Sequence, residues 1–289
     1  MREGFINTQA GNIWYSVYGE EKEGVPLLVV HGGPGFVTMP QTVSDLAEER
    51  PVYFYDQLGC GNSDRAENKD YYSVENYVDE LEEVRNKLDL KEVYLMGFSW
   101  GPALICSYML DKKPAGVKGL ILSCPLLRTS MWDKDQRDNI ATLPPEVKSV
   151  IEKCESSGDY GDEYQEAMME FYKKFVCRLD PWPDYLWEAF NQLSQEVYQT
   201  MWGQSEFTVT GTLKNFDLYT ELHKILEPVL LTCGDRDEAG VKSVKDFQIA
   251  FPNAQMAVIP NASHLHQIEK PELYKAIVND FLKTTDNQI

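Results

Sequence analysis

The sequence predicts an α/β protein: a mostly parallel, twisted sheet flanked by helices and interrupted by an inserted, all-helical cap. Three observations predict it. Apolar runs of strand length alternate with a helix-spaced pattern in the first half, a middle stretch carries helical patterns and no strand run, and two strand runs with a final helix return at the end.

The runs "VPLLVVHGG", "RPVYFYDQLG", "EVYLMGFSWG" and "VKGLILSCP" are apolar almost throughout, as strands covered on both faces of a parallel sheet must be. Between the second and third lies "SVENYVDELEEVRNKLDL". Its Val74, Tyr77, Val78, Leu81, Val84 and Leu88 fall at helical spacing behind Ser73, an N-cap residue. From about Thr129 to Thr212 the text becomes helical, as in "GDEYQEAMMEFYKKFVCRL" and "PDYLWEAFNQLSQEVYQTM". The strands "EPVLLTCGD" and "AQMAVIP" and the helix "PELYKAIVNDFLK" then complete the sheet. The expected organisation is a core over 1–128 and 213–289 with a helical cap over 129–212.

A chain of 289 residues suits one large domain carrying an insertion. Hydrophobic content of 43% and charged content of 25% fit a globular protein. The net charge of -19 argues against nucleic acid and anionic membranes as partners, because the field repels phosphates. No basic head precedes an apolar segment at the N-terminus, and nowhere do about eighteen apolar residues run together, so a cytoplasmic protein is expected. The six cysteines form no C-x-x-C pair and read as buried free thiols.

Gly97-Phe98-Ser99-Trp100-Gly101 has the form G-x-S-x-G between a strand and a helix, the context of a nucleophile elbow. Glycines on either side let the backbone turn tightly around a strained serine, and the helix that follows aims N–H groups at the place where negative charge would develop. A serine hydroxyl is a weak nucleophile without a base. Of the four histidines, His264 lies just after the last strand, where a loop reaches the carboxyl edge of the sheet. His223 reads as a surface residue and His31 as structural. His264 and His266 lack the further ligands that would complete a metal site, and no cofactor signal is present.

Asp235, Asp237 and Glu238 follow the penultimate strand in "LLTCGDRDEAG". The order Ser99, Asp237, His264 is that of a triad built on such a sheet, with His264 as base and Asp237 as its orienting acid. "HGGPG", His31 to Gly35, follows the first strand of the parallel set. Its glycines leave backbone N–H groups open to a ligand, so Gly33 N–H and Trp100 N–H form the expected oxyanion pair.

Together "HGGPG", "YDQLGCGNS", "GFSWG", "MWGQSEFTVTGTLKNFD", "GDRDE" and "ASH" resemble the proline iminopeptidase family of serine peptidases with the α/β-hydrolase fold, from about Val25 to Phe281. The resemblance implies release of N-terminal proline from short peptides, or from amino-acid amides, that have a free amino terminus. It also implies that Glu206 and Glu238 hold that terminus; an N-terminal proline carries a secondary ammonium with two donors, which two carboxylates can satisfy. Phe98 and Pro102 depart from the family pattern at the elbow. Proline in a first helical turn is tolerated, while Phe98 bears on the acyl pocket. The aromatic residues Trp182, Trp187, Phe190 and Trp202 are candidates for lining that pocket. An amino-acid amidase or dipeptidase, a general esterase, and a non-catalytic binding protein are the alternatives on the same scaffold.

Overall fold

The fold was analysed in a computed structural model that describes residues 1–287. Its elements, in chain order, are β1 (Arg2–Asn7), β2 (Asn12–Tyr18), β3 (Leu27–Val30), β4 (Val52–Tyr55), α1 (Val74–Lys87), β5 (Val93–Phe98), α2 (Trp100–Lys112) and β6 (Val117–Ser123). A helical block follows: α3 (Thr129–Ile140), α4 (Pro145–Ser157), α5 (Asp162–Phe175), α6 (Asp184–Asn191) and α7 (Gln195–Met201). The chain closes with β7 (Val229–Gly234), α8 (Val241–Ala250), β8 (Ala254–Ile259), α9 (His266–Glu269) and α10 (Pro271–Asp286).

The eight strands form one sheet in the order β1-β2-β4-β3-β5-β6-β7-β8. β1 and β2 pair antiparallel with their neighbours, and the other six strands run parallel. The apolar runs pointed to those six and not to β1 and β2. The reason lies in exposure: β1 buries only Ile6, and its mixed text shows no continuous apolar signal.

Alternation along the strands splits the core. Leu28, Val30, Leu95 and Leu122 face one side, against Tyr77, Leu81 and Val84 of α1 and Leu104 of α2. Leu27, Val29, Met96 and Ile121 face the other, against Tyr274, Val278 and Phe281 of α10. Ser73 caps α1 as the sequence indicates, accepting from Asn76 N at 3.3 Å. The helical block has its own core around Phe171, Phe207, Leu186 and Ile151, which also takes in Leu265 and Ile268 beside the last strand. "PDYLWEAFNQLSQEVYQTM" is two helices rather than one. The break falls where Ser194 N donates to Gly35 O at 2.8 Å, fastening the block to the loop after β3.

Register brings the strand ends together: Val30 pairs with Gly97, Phe98 with Ser123, Ser123 with Thr232, and Gly234 with Ile259. The loops that follow β3, β5, β6, β7 and β8 therefore emerge along one carboxyl edge, the edge where open α/β sheets bind ligands. All six cysteines are free and buried. Among the described residues no helix is long and apolar enough to cross a membrane.

Helix α2 lies very close to strand β3. A Cβ on Gly101 would fall 2.4 Å from Val30 O, and one on Gly97 would fall 2.7 Å from Gly101 C and Pro102 N. Both neighbours are backbone and cannot step aside. Gly101→Ala is therefore expected to destabilise the protein by about 1–3 kcal/mol, the usual cost of overpacking, read as a lower denaturation midpoint in urea. A midpoint equal to that of the wild type would show that α2 and β3 can separate to admit a methyl group without cost.

Candidate active site

Ser99 sits between β5 and α2 with φ 57 and ψ -104, a conformation that costs a β-carbon residue about 1–3 kcal/mol. The surroundings impose it. Ser99 N donates to Ser123 O at 3.0 Å and Leu126 N donates to Ser99 O at 3.0 Å, so the turn is held by the adjacent strand and the loop that follows it. The side chain is half-buried and lines a cavity of about 710 Å³ between the carboxyl edge of the sheet and the helical block.

Asp237 and His264 meet at the same edge, with His264 Nδ1 2.8 Å from Asp237 Oδ1. The carboxylate is fixed by its own loop, since Gly234 N donates to Oδ2 at 3.1 Å and Ala239 N to Oδ1 at 2.9 Å. His264 N donates to Phe175 O at 3.0 Å, so the helical block also anchors the histidine. The structure brings Ser99 and His264 to one cavity. Among the described residues, however, no hydrogen bond joins Ser99 Oγ to the imidazole, whose Nε2 lies 3.4 Å from Glu238 Oε1. Asp235 is exposed and binds Ala262 N.

Gly33 lines the cavity at φ +114, where a Cβ would press on Gly35 N and Phe36 N at 2.7 Å. Trp100 is the first residue of α2. Its side chain is turned inward, with Nε1 donating to Gln57 Oε1 at 3.0 Å. Gln57 in turn binds His31: its N donates to His31 Nε2 at 3.0 Å, and its Nε2 to His31 O at 3.3 Å. His31 Nδ1 then donates to Gly32 O at 2.8 Å, which makes the ring neutral and gives it the structural place the sequence suggested. Burial pulls its pKa down, in keeping with that state. One buried chain of bonds thus ties the glycine loop to the start of α2.

Glu206, from the segment after α7, and Glu238, from the loop after β7, both line the cavity. Glu206 follows α7 in a segment secured from below: Arg137 pairs with Glu155 at 2.6 Å, and Glu155 accepts from Ser205 at 2.6 Å and Thr208 at 2.9 Å. Tyr198 OH donates to Glu206 Oε2, and Glu206 N donates to Tyr164 OH at 3.0 Å. Burial raises the pKa of Glu206, an effect that its tyrosine partners only partly offset. Glu238 is 5% exposed, its Oε2 is buried with no hydrogen-bond partner, and burial pushes its pKa up to about 8. Burial pulls His264 down, but Cys124, Glu238 and Asp237 together outweigh it and hold the imidazole well above its ordinary value.

Sequence reasoning missed Cys124 and Trp132. Cys124 follows β6 at φ 45 and its sulfur lies within 4.8 Å of the His264 and Asp237 ligand atoms; Trp132 of α3 packs edge-on to the imidazole at 5.7 Å. The position of Cys124 directly after a parallel strand was the available signal. Cys124, Asp237 and His264 are near enough to one another to bind a metal ion, although Nδ1 of the histidine is already engaged by Asp237. His266 does not join them; its Nε2 meets Thr232 Oγ1 at 2.9 Å, and burial lowers its pKa to about 4. His223 is exposed. Of the aromatic candidates, Phe190 and Trp202 line the cavity, whereas Trp182 and Trp187 pack on each other outside it at 4.7 Å. Phe98 lines it too.

A sheet of this order, with a strained serine on the turn after β5 and an Asp–His pair after β7 and β8, has the architecture of the α/β hydrolases, and a family model described as alpha/beta hydrolase fold matches residues 25–271. The chain is 39% identical over 285 residues to the proline iminopeptidase of Heyndrickxia coagulans, covering 98% of this chain and 99% of that one. It is 35% identical over 291 residues to that of Clostridium botulinum, covering 99% of each. The solved proline iminopeptidase of Mycobacterium smegmatis superposes with a TM-score of 0.91 at 30% identity, covering 99% of each chain. The chain belongs to the proline iminopeptidase family of serine hydrolases.

The raised pKa of Glu238 makes stability depend on pH. Its folded value of about 8 lies above the ordinary 4.5, so between these the folded state keeps a proton that the unfolded chain has lost. The resulting contribution is fully present below about 4.5 and is lost as pH rises through about 8. Glu238→Gln lacks this loss. Its urea midpoint is expected to match the wild type near pH 4.5 and to exceed it above pH 8; a difference that does not grow with pH would place the charge elsewhere.

Proposed function

We propose that the protein is a serine aminopeptidase that releases N-terminal proline, or another small apolar residue, from short peptides or amino-acid amides. One observation carries this reading. Two carboxylates, Glu206 and Glu238, line the same cavity as Ser99 and His264, and an oxygen of Glu238 is buried without a partner. A buried acceptor left open is costly unless a ligand fills it, and the ligand that suits two carboxylates is a cation with more than one N–H donor. The ammonium of an N-terminal proline is such a group. The relatives described above are named for acting on proline, which supports the choice among amino acids.

In this reading Glu206 and Glu238 hold the ammonium and place the first carbonyl over Ser99. Ser99 Oγ attacks the carbonyl carbon while His264 Nε2 takes its proton, with Asp237 fixing the tautomer through Nδ1. Gly33 N–H and Trp100 N–H receive the oxyanion. The scissile C–N bond breaks, the leaving amine takes the proton from His264, and water repeats the sequence on the acyl-enzyme. Residues 129–212 act as a cap that supplies Glu206 and closes the cavity over the sheet. A general esterase would have no use for the paired glutamates. Six free thiols suit a reducing, cytoplasmic setting.

Ser99→Ala is expected to lower turnover by about a million-fold, the scale on which removing a triad nucleophile acts; a variant with a tenth of wild-type turnover would exclude Ser99 as the nucleophile. Glu206→Gln should raise KM for free-amino substrates by about ten- to a hundredfold, the worth of a charged hydrogen bond, and leave an N-blocked ester almost unchanged. Equal losses on both would remove Glu206 from amine binding. The substrate class is tested with chromogenic amides of proline, alanine and leucine beside N-acetylproline amide. Fastest cleavage of free proline amide is expected, and equal cleavage of the blocked amide would point to a general amidase.

A further inference from the structure

His264 has two ring nitrogens, and an acid lies beside each of them. Nδ1 is bonded to Asp237 at 2.8 Å. Nε2, the nitrogen that acyl transfer needs at Ser99, lies 3.4 Å from Glu238 Oε1, and both side chains are less than a tenth exposed. Water therefore screens this pair poorly. The imidazole is faced by Asp237 and Glu238 from the loop after β7, Cys124 from the end of β6, Trp132 from α3 and the charge of Glu206 from the helical block. The second oxygen of Glu238 remains without a partner, so the carboxylate is not locked in place by other donors.

We propose that Glu238 keeps the general base idle until a cation arrives: with the cavity empty its Oε1 engages His264 Nε2, and the substrate's ammonium, by taking over Glu238, releases Nε2 to Ser99 Oγ. This rests on the reading of Glu206 and Glu238 as an amine clamp and adds a second role to one arm of it. The protons balance. In the idle pair Nε2 and, below about pH 8, Glu238 each carry a proton, with Nε2 3.4 Å from Oε1; when the ammonium takes over Glu238 as a carboxylate, both protons pass to bulk water and neutral Nε2 is ready to accept the proton of Ser99. When the freed amino acid leaves with its ammonium, Nε2 and Glu238 take their protons back from water. The high imidazole pKa, set against burial by the surrounding acids, fits a base that is occupied at rest.

Selectivity follows twice from the same group. A substrate with no ammonium loses the clamp, and it also meets a histidine still held by Glu238. Blocked peptides and simple esters are thereby disfavoured in the chemical step as well as in binding. A clamp without this second role would penalise substrates that lack an ammonium in binding alone.

The test compares wild type with Glu238→Ala on proline 4-nitroanilide and on 4-nitrophenyl acetate, which has no amine, near neutral pH, with and without pyrrolidinium chloride and with enzyme-free rates subtracted. Glu238→Ala is expected to lose activity on the anilide and to gain up to about tenfold in kcat on the acetate ester, since an imidazole relieved of an acidic neighbour spends more of its time unprotonated. Pyrrolidinium should raise kcat of the wild type on the ester and leave the variant unaffected. An ester rate in the variant equal to or below that of the wild type overturns the proposal, as does inhibition of, or no effect on, the wild type by pyrrolidinium. The pyrrolidinium measurement decides the matter even if the alanine variant does not fold. Preference of the wild type for free over N-acetylated proline anilide, with no response to pyrrolidinium, would leave the clamp standing and remove the idling; absence of that preference would remove the clamp as well.

Discussion

The site depends first on the contact between helix α2 and strand β3, where Gly101 leaves no atom between a helix backbone and a strand carbonyl. That contact sets the angle at which β5 becomes α2, and with it the strained backbone of Ser99. Strain of this kind persists only when the surroundings over-determine it. Here they do so through the bonds of Ser99 to Ser123 and Leu126 and through the glycines that let the helix come in so close. Trp100 then turns its indole inward to Gln57, and Gln57 holds His31 at the base of the glycine loop. A steric fact at Gly101 thus reaches, by buried hydrogen bonds, the backbone of the loop beside it.

Charge is the second constraint. The charges of Asp237, Glu238 and Glu206 act on one buried imidazole, and Arg137 is paired with Glu155 beneath the Glu206 segment. Burial penalises the charged form of each, which is why both glutamates are pushed above their usual range. Asp237 is bonded to two backbone N–H groups and to His264. Of these three carboxyl groups, one is bonded to a histidine, one to a tyrosine, and one, Glu238, keeps its Oε2 without a partner.

The helical block is bound into the same arrangement. Its core takes in Leu265 and Ile268, Phe175 O receives the His264 N–H, and Ser194 N reaches Gly35 O. Glu206 and Trp132 are therefore carried by elements fastened to the histidine loop and the glycine loop. A site assembled across two units in this way gains a closed, poorly screened interior, in which a single ammonium has a large effect on every neighbouring charge.

The sequence by itself determined the parallel strands, because strands buried on both faces must be apolar throughout, and it determined the helical block, because helical spacing is local. It also marked Ser99, Asp237 and His264, since each stands immediately after a strand and the order of such loops follows from the order of strands. The hairpin of β1 and β2 was not legible: β1 is an exposed edge strand, and both strands carry a mixed text of apolar and polar residues. Nor could spacing show that Cys124 and Trp132 flank the imidazole, that Trp182 and Trp187 stand away from the cavity, or that Nε2 of His264 comes within 3.4 Å of Glu238. Those facts belong to the tertiary structure, because burial, rotamer and charge balance arise only when residues far apart in the chain enclose the same space.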